Sequence, residues 1–244
     1  MLSHHHRALF VHVPKVAGQS VELALLQDMN KSWQERAPYL LRPNSDATQG
    51  PPRLAHLTAH EYLDFGYVDQ ATFNAYFKFS FVRNPWARLH SEFRYRQALG
   101  VANYQCDFKT FLLTRFPTPQ DDCYTTHRDL YRHVIPQSNF LYSPDGTCLV
   151  DFIGRFENLS EDFAIVAEKI GLSSMVLPHK NNTEQLGSKA ILKRLLKPLQ
   201  PRFLAPKKAA HGSDYRTAYD NETREWVAHF YAQDIERFNY QFEN

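Results

Sequence analysis

Residues 8–13, Ala-Leu-Phe-Val-His-Val, run directly into Pro14-Lys15-Val16-Ala17-Gly18-Gln19-Ser20 and then into a stretch of helical apolar spacing, 21–29. A short run rich in β-branched and aromatic residues reads as a buried strand, and the stretch after it as an amphipathic helix with Ser20 as its N-cap. A strand that turns at once into a helix aims free backbone N–H groups and the positive end of the helix dipole at one point, which suits an anion. Gly18 lets the backbone approach a phosphate, Lys15 adds a full charge and Ser20 adds a hydroxyl donor. An ordinary strand–turn–helix with a surface lysine would use the same residues, so the segment alone leaves both readings open. A nucleotide-triphosphate P-loop is disfavoured. It places its lysine after the glycines, as GxxxxGK followed by Ser or Thr, whereas Lys15 precedes Gly18.

A second junction repeats the pattern. Residues 76–82 read as a buried strand that ends at Arg83, and Asn84-Pro85 supplies an N-cap and a proline at the first helical position of a helix to about residue 99. The guanidinium of Arg83 matches a phosphate in two-point fashion, and Ser91, two turns into the helix, could cap the same anion from the side. A structural salt bridge and a helix-surface hydroxyl would account for these two residues equally well. Two strand-end anion sites in one sheet are harder to assign to chance, because ligands of open α/β sheets bind at the carboxyl ends of the strands.

Further along, 107–115 and 158–170 read as helices, the latter ended by Gly171. Residues 139–142 and 147–152 read as strands joined at Pro144-Asp145-Gly146, 188–196 as a basic helix and 217–238 as one long helix. This alternation predicts an α/β fold: one P-loop-like domain over residues 1–244, with a mainly parallel sheet flanked by helices.

The 244 residues suffice for one large domain, and a net charge of +2 creates no general field for polyanions, so anion binding must come from local clusters. No nucleic-acid module is recognisable, and nucleic acid is not expected as a partner. The three cysteines lack CxxC spacing and fit a reducing compartment. No stretch of about 18 apolar residues is present, so neither a membrane span nor a signal peptide is expected. The chain reads as a cytoplasmic protein, bacterial in style, of open oligomeric state. His4-His5-His6 is expected to be a solvated tail, and no metal site is expected.

PKxxGxS after the first strand and RxPxxRxxS after a later one resemble the 5′-phosphosulfate and 3′-phosphate signatures of sulfotransferases that use 3′-phosphoadenosine 5′-phosphosulfate (PAPS). The chain is similar to the carbohydrate sulfotransferases that include heparan sulfate 2-O-sulfotransferases and bacterial sulfotransferase family 2 proteins. The similarity continues through His56-Leu57-Thr58-Ala59, the segment 150–159, Pro178-His179-Lys180-Asn181-Asn182-Thr183 and Asp234-Ile235-Glu236-Arg237-Phe238. The resemblance implies sulfuryl transfer from PAPS to a carbohydrate or other hydroxyl acceptor, with adenosine 3′,5′-bisphosphate as product. It implies that Lys15, Val16, Ala17, Gly18, Gln19 and Ser20 hold the 5′-phosphosulfate, with Lys15 at the bridging oxygen. Arg83 and Ser91 would hold the 3′-phosphate, and Asn182 and Thr183 would lie near the adenosine. Membrane-anchored members of the family carry a stem and a transmembrane helix that have no counterpart in this sequence.

Sulfuryl transfer is an in-line displacement that needs positioning, charge stabilisation at the leaving oxygen and a base for the acceptor hydroxyl. A sulfuryl group carries less charge than a phosphoryl group, so no metal is required on this account. Within residues 53–61, His56 fits the family's His-x-(Thr/Ser) pattern and is the first candidate for the base, with His60 and Glu61 in reserve. Arg94, Arg96, Arg128, Arg132 and His133, interleaved with tyrosines, could read an acceptor sugar or form a solvated face.

Overall fold

The computed structural model describes residues 1–178 and 214–242. Among these, six strands occur: β1 (Leu2–Ser3), β2 (Ala8–Phe10), β3 (Phe77–Val82), β4 (Asp122–Cys123), β5 (Arg128–Asp129) and β6 (Phe152–Arg155). The main sheet has the order β1-β2-β3-β6, with β2, β3 and β6 parallel and β1 antiparallel on the edge. β4 and β5 form a separate small antiparallel pair. The fold is therefore α/β, with a mixed, mostly parallel sheet flanked by helices.

The register aligns Ala8 with Phe77 and Phe10 with Phe79. β2 stops earlier than the apolar pattern suggests, although the Val11 amide still donates to the Phe79 carbonyl at 2.9 Å. Both faces of this central pair are covered, which is why its sequence reads as an unbroken apolar run rather than an alternation. Phe10, Phe79 and Phe81 are fully buried there, together with Val21, Leu25 and Leu26 of α1 (Gly18–Asp28).

The helices that follow are α2 (Glu61–Asp64), α3 (Gln70–Ala75), α4 (Pro85–Ala98), α5 (Phe108–Thr114), α6 (Ser138–Leu141), α7 (Leu159–Ile170), α8 (Asn221–Phe230) and α9 (Ala232–Arg237). A second, aromatic-rich core joins α4, α5 and α8 through Trp86, Phe93, Phe108, Phe111 and Val227, with Tyr231 just after α8. α4 thus belongs to both halves of the molecule. It starts at the end of β3 and packs into the helical layer.

Several expectations hold closely. Asn84 caps α4 by accepting from the Trp86 and Ala87 amides, with Pro85 at the first position. α7 ends at Gly171 with φ of 72°, a left-handed cap that glycine adopts without a Cβ penalty.

Three expectations are corrected. Ser20 is not the N-cap of α1: the helix already begins at Gly18, and Ala17 occupies the cap position in the left-handed region without a side-chain bond. Residues 139–142 are not a strand. They lie in and just after α6; the amides of its cap residue Gln137 and of its first residue Ser138 donate to the buried Asp234 carboxylate. Only an isolated bridge between Tyr142 and Cys148 survives of the expected strand pair. The long C-terminal helix breaks at Tyr231 (φ −104°, ψ 26°), whose hydroxyl donates to the Val134 carbonyl. The expected basic helix at 188–196 lies outside the described residues.

Candidate active site

The β2–α1 junction is strained where an anion would sit. Lys15 has φ of 71° and Ala17 has φ of 64°, each in the left-handed region that costs a non-glycine residue roughly 1–2 kcal/mol. Such outliers persist only when the surroundings over-determine them, and they cluster at ligand clamps. With Ala17 as cap and no acidic residue in the first turn, no side chain of α1 closes its own amino terminus. Val16 is buried beneath the turn, while Gln19 and Ser20 are half-exposed in the first turn of the helix. The Ser20 amide is already bonded to the Ala17 carbonyl. Gly18 is required by packing: a Cβ there would lie 2.0 Å from His12 Nε2.

Arg83 closes on this turn from the neighbouring strand. Its Nη1 donates to the Lys15 carbonyl at 3.3 Å, and its guanidinium stacks over Phe156 at 4.1 Å. Gln137 clamps its backbone from both sides, accepting from the Arg83 amide and donating to its carbonyl. Arg83 Nε is buried without a hydrogen bond among the described residues. Burial brings the guanidinium down to about 10, with Glu157 opposing the shift.

Lys15 lies with its ammonium 4.0 Å from the centre of the Tyr95 ring, a cation–π contact that orients the charge without neutralising it. Burial pushes this ammonium down to about 8; Glu92 opposes the shift, and Arg83 and Arg96 add to it. Ser91 sits half-buried one helical turn before Tyr95 on α4.

His56 joins the same region. Its Nδ1 donates to the His12 carbonyl at 3.0 Å, so the proton is on Nδ1 and Nε2 carries the lone pair. Burial, followed by the neighbouring His12 and His133, holds His56 well below the ordinary imidazole range. It is therefore neutral at pH 7, the state a proton acceptor needs.

The reserve candidates lie elsewhere. His60 is half-exposed and donates to Asp64. It lines a surface cleft with Lys78, Asp145 and Asp151, away from the strand ends that carry Lys15 and Arg83. Glu61 is held by Arg132 through two short contacts, of 2.6 and 2.8 Å. The expected basic, tyrosine-interleaved set splits apart: Arg96 pairs with Glu92, Arg132 with Glu61, and His133 is buried, while Arg128 stays exposed. Asn182 and Thr183 lie outside the described residues.

The histidine-rich start is not wholly a solvated tail. His6 is buried, bonded to Ser3 through Nδ1 and to Asp28 through Nε2. His5, His6 and Asp28 bring ligating atoms within 4.8 Å of one another, but both ring nitrogens of His6 are already engaged.

Sequence reasoning missed His12, Glu22 and Glu92 as site residues. The available signal was a glutamate inside an apolar helical run, Val21-Glu22-Leu23-Ala24-Leu25-Leu26, where a buried charge demands a partner.

A profile described as Sulfotransferase family matches residues 1–241. The chain belongs to the sulfotransferase family. An uncharacterized protein of Archaeoglobus fulgidus is 32% identical over 105 residues, covering 43% of this sulfotransferase and 76% of that relative. No solved structure matches the chain. Membership supports sulfuryl transfer to a hydroxyl-bearing acceptor. Among the described residues, no helix of this sulfotransferase is long and apolar enough to cross a membrane.

Proposed function

We propose that this sulfotransferase takes its sulfuryl group from PAPS and passes it to a hydroxyl of a carbohydrate. The observation that carries this reading is the convergence of three groups at the carboxyl ends of two adjacent parallel strands. They are the uncapped α1 terminus with Lys15, the Arg83 guanidinium bonded to the Lys15 carbonyl, and His56 bonded to the His12 carbonyl. The residues fit a donor with two phosphate-bearing ends, because two independent cationic clamps stand side by side and Arg83 Nε is buried without a partner.

PAPS supplies an activated sulfuryl group and a good leaving group. Within the site, the amides of the α1 first turn, with Lys15, hold the phosphosulfate end. Lys15 also stabilises the negative charge that builds on the leaving oxygen, an effect worth about 3–4 kcal/mol for a well-placed donor. Arg83 holds the 3′-phosphate, with Ser91 beside it on α4. His56 accepts the acceptor hydroxyl proton at Nε2, which its tautomer leaves free of hydrogen. The carbohydrate class of the acceptor rests on the family resemblance alone.

The test is His56→Ala, assayed with radiolabelled PAPS and a panel of glycans. Turnover should be lost, while adenosine 3′,5′-bisphosphate binds with nearly the parental affinity. Parental rates in this variant would remove His56 as the base. Saturable donor binding by the parent protein, with no sulfated product from any acceptor, would instead describe a catalytically silent relative.

A further inference from the structure

His56 is the middle member of a buried row of five side chains. On one side its ring lies 4.6 Å from that of His12, whose Nδ1 donates to Glu22 at 2.6 Å. On the other it lies 4.8 Å from His133, whose Nδ1 is 3.4 Å from a Glu92 carboxylate oxygen. The order in space is Glu22, His12, His56, His133, Glu92. Every flanking member is at most 5% exposed.

Buried carboxylates are costly and persist only when compensated. A purely structural cluster would close its hydrogen bonds, and this one does not. Glu92 Oε2, Arg96 Nη2 and His133 Nε2 are buried without a hydrogen-bond partner among the described residues, and His133 Nδ1 faces only Glu92, at 3.4 Å. An unsatisfied group of this kind is costly to bury. The polar atoms left open lie on the His133–Glu92 side of the proposed base, away from Glu22.

We propose that Glu22–His12 and His133–Glu92 are positioning pairs that compensate the imidazolium formed when His56 takes the acceptor proton. The inference rests on the reading of His56 as the base. As the acceptor oxygen bonds to sulfur and the bond from sulfur to the leaving oxygen breaks, the hydroxyl proton moves to His56 Nε2. The new positive charge then stands between two carboxylates, each one imidazole away. After product leaves, the proton passes to solvent and His56 is neutral again.

Other charges face the row and shape its response. Arg53 and Asp129 flank His133, Arg132 donates to the His56 carbonyl, and the Met1 amino group faces Glu22. Lys15, Arg96, Tyr104 and Tyr231 face Glu92. Although burial opposes it, His133, Arg96 and Lys15 hold Glu92 below the usual carboxylate range, so it stays ionised. Burial brings His133 down to about 4, so it is neutral at pH 7. Glu92 is thus ionised before any proton arrives, with Arg96 Nε already donating to it at 2.6 Å. Glu92 also supports the ammonium of Lys15, which gives the two ends distinguishable signatures.

The test uses Glu22→Gln and Glu92→Gln in the full chain. Each should lower kcat at least about tenfold while adenosine 3′,5′-bisphosphate affinity stays within about twofold. The alkaline limb of kcat/KM should move to lower pH in Glu92→Gln, because Lys15 loses a supporting charge, and should stay in place in Glu22→Gln. Parental kcat in both variants overturns the inference. So does a kcat loss that merely tracks equal losses of affinity and melting temperature, since that describes a structural role. If Glu92→Gln does not fold, Glu22→Gln decides alone. His56→Ala run in parallel separates the two readings: parental turnover there removes the base itself. An inactive His56→Ala beside fully active glutamine variants removes only the positioning pairs.

Discussion

Two strand-to-helix junctions stand next to each other in this sheet, and they treat the helix amino terminus in opposite ways. At the β3–α4 junction the chain closes itself. Asn84 accepts from two first-turn amides, Pro85 removes a third donor, and Glu157 accepts from the Asn84 amide. At the β2–α1 junction the cap is Ala17, held in a left-handed conformation, with no side chain to do the same work. The first arrangement spends its first-turn donors internally and leaves to an anion the side chains of Arg83 and Ser91. The second has no capping side chain at Ala17 and adds Lys15. On the proposed reading, an anion clamp is built from side-chain charge at one junction and from withheld capping at the other, on neighbouring strands.

The comparison can be broken most severely at Lys15. Lys15→Ala should reduce sulfuryl transfer by about 100- to 1,000-fold in kcat, the size expected for one lost oxyanion donor, with the fold retained by circular dichroism. A loss confined to KM would show that the lysine only binds. Arg83→Ala should weaken adenosine 3′,5′-bisphosphate by about 2 kcal/mol, as for a charged hydrogen-bonding group, measured by calorimetry. Unchanged affinity would leave the second junction without a role in anion binding.

The pH profile sharpens the contrast. In its proposed role Lys15 must be protonated, and burial brings its ammonium down to about 8. Activity should therefore hold below that pH and decline as pH rises through it. Because Arg83 contributes to the depression, Arg83→Ala should move this limb of kcat/KM to higher pH even as binding weakens. A limb that does not move would separate the two clamps electrostatically. The smallest effect is expected at the self-closed junction. Asn84→Ala should cost about 1 kcal/mol of stability, the usual value of an N-cap, read as a lower melting temperature, with kcat little changed.

The residues show why some of this was legible in sequence and some was not. Strand β3, the Asn84-Pro85 start and the Gly171 stop are local signals, each decided within a few residues, and they read correctly. The Lys15 and Arg83 pairing was readable because both ends of parallel neighbours must face the same edge. Ser20 misled because a good capping residue stood next to a turn that Lys15 and Ala17 complete in an unusual backbone conformation. Residues 139–142 misled because Asn-Phe-Leu-Tyr fits a strand or a helix, and the deciding partner, Asp234, is nearly a hundred positions away in sequence. The row of His12, His56 and His133 was invisible for the same reason. Its members come from β2's end, the segment before α2 and the segment before α6, and no spacing rule connects them.

Gly18 and His12 share one small volume, with no room for even a methyl group between them. The consequence is a constraint on change. Any attempt to retune donor affinity by adding a side chain at position 18 must first displace a ring whose backbone carbonyl fixes the tautomer of His56. If Gly18 and His56 act as proposed, the grip on the donor and the readiness of the base are coupled variables, and only substitutions at both places together can alter one while keeping the other.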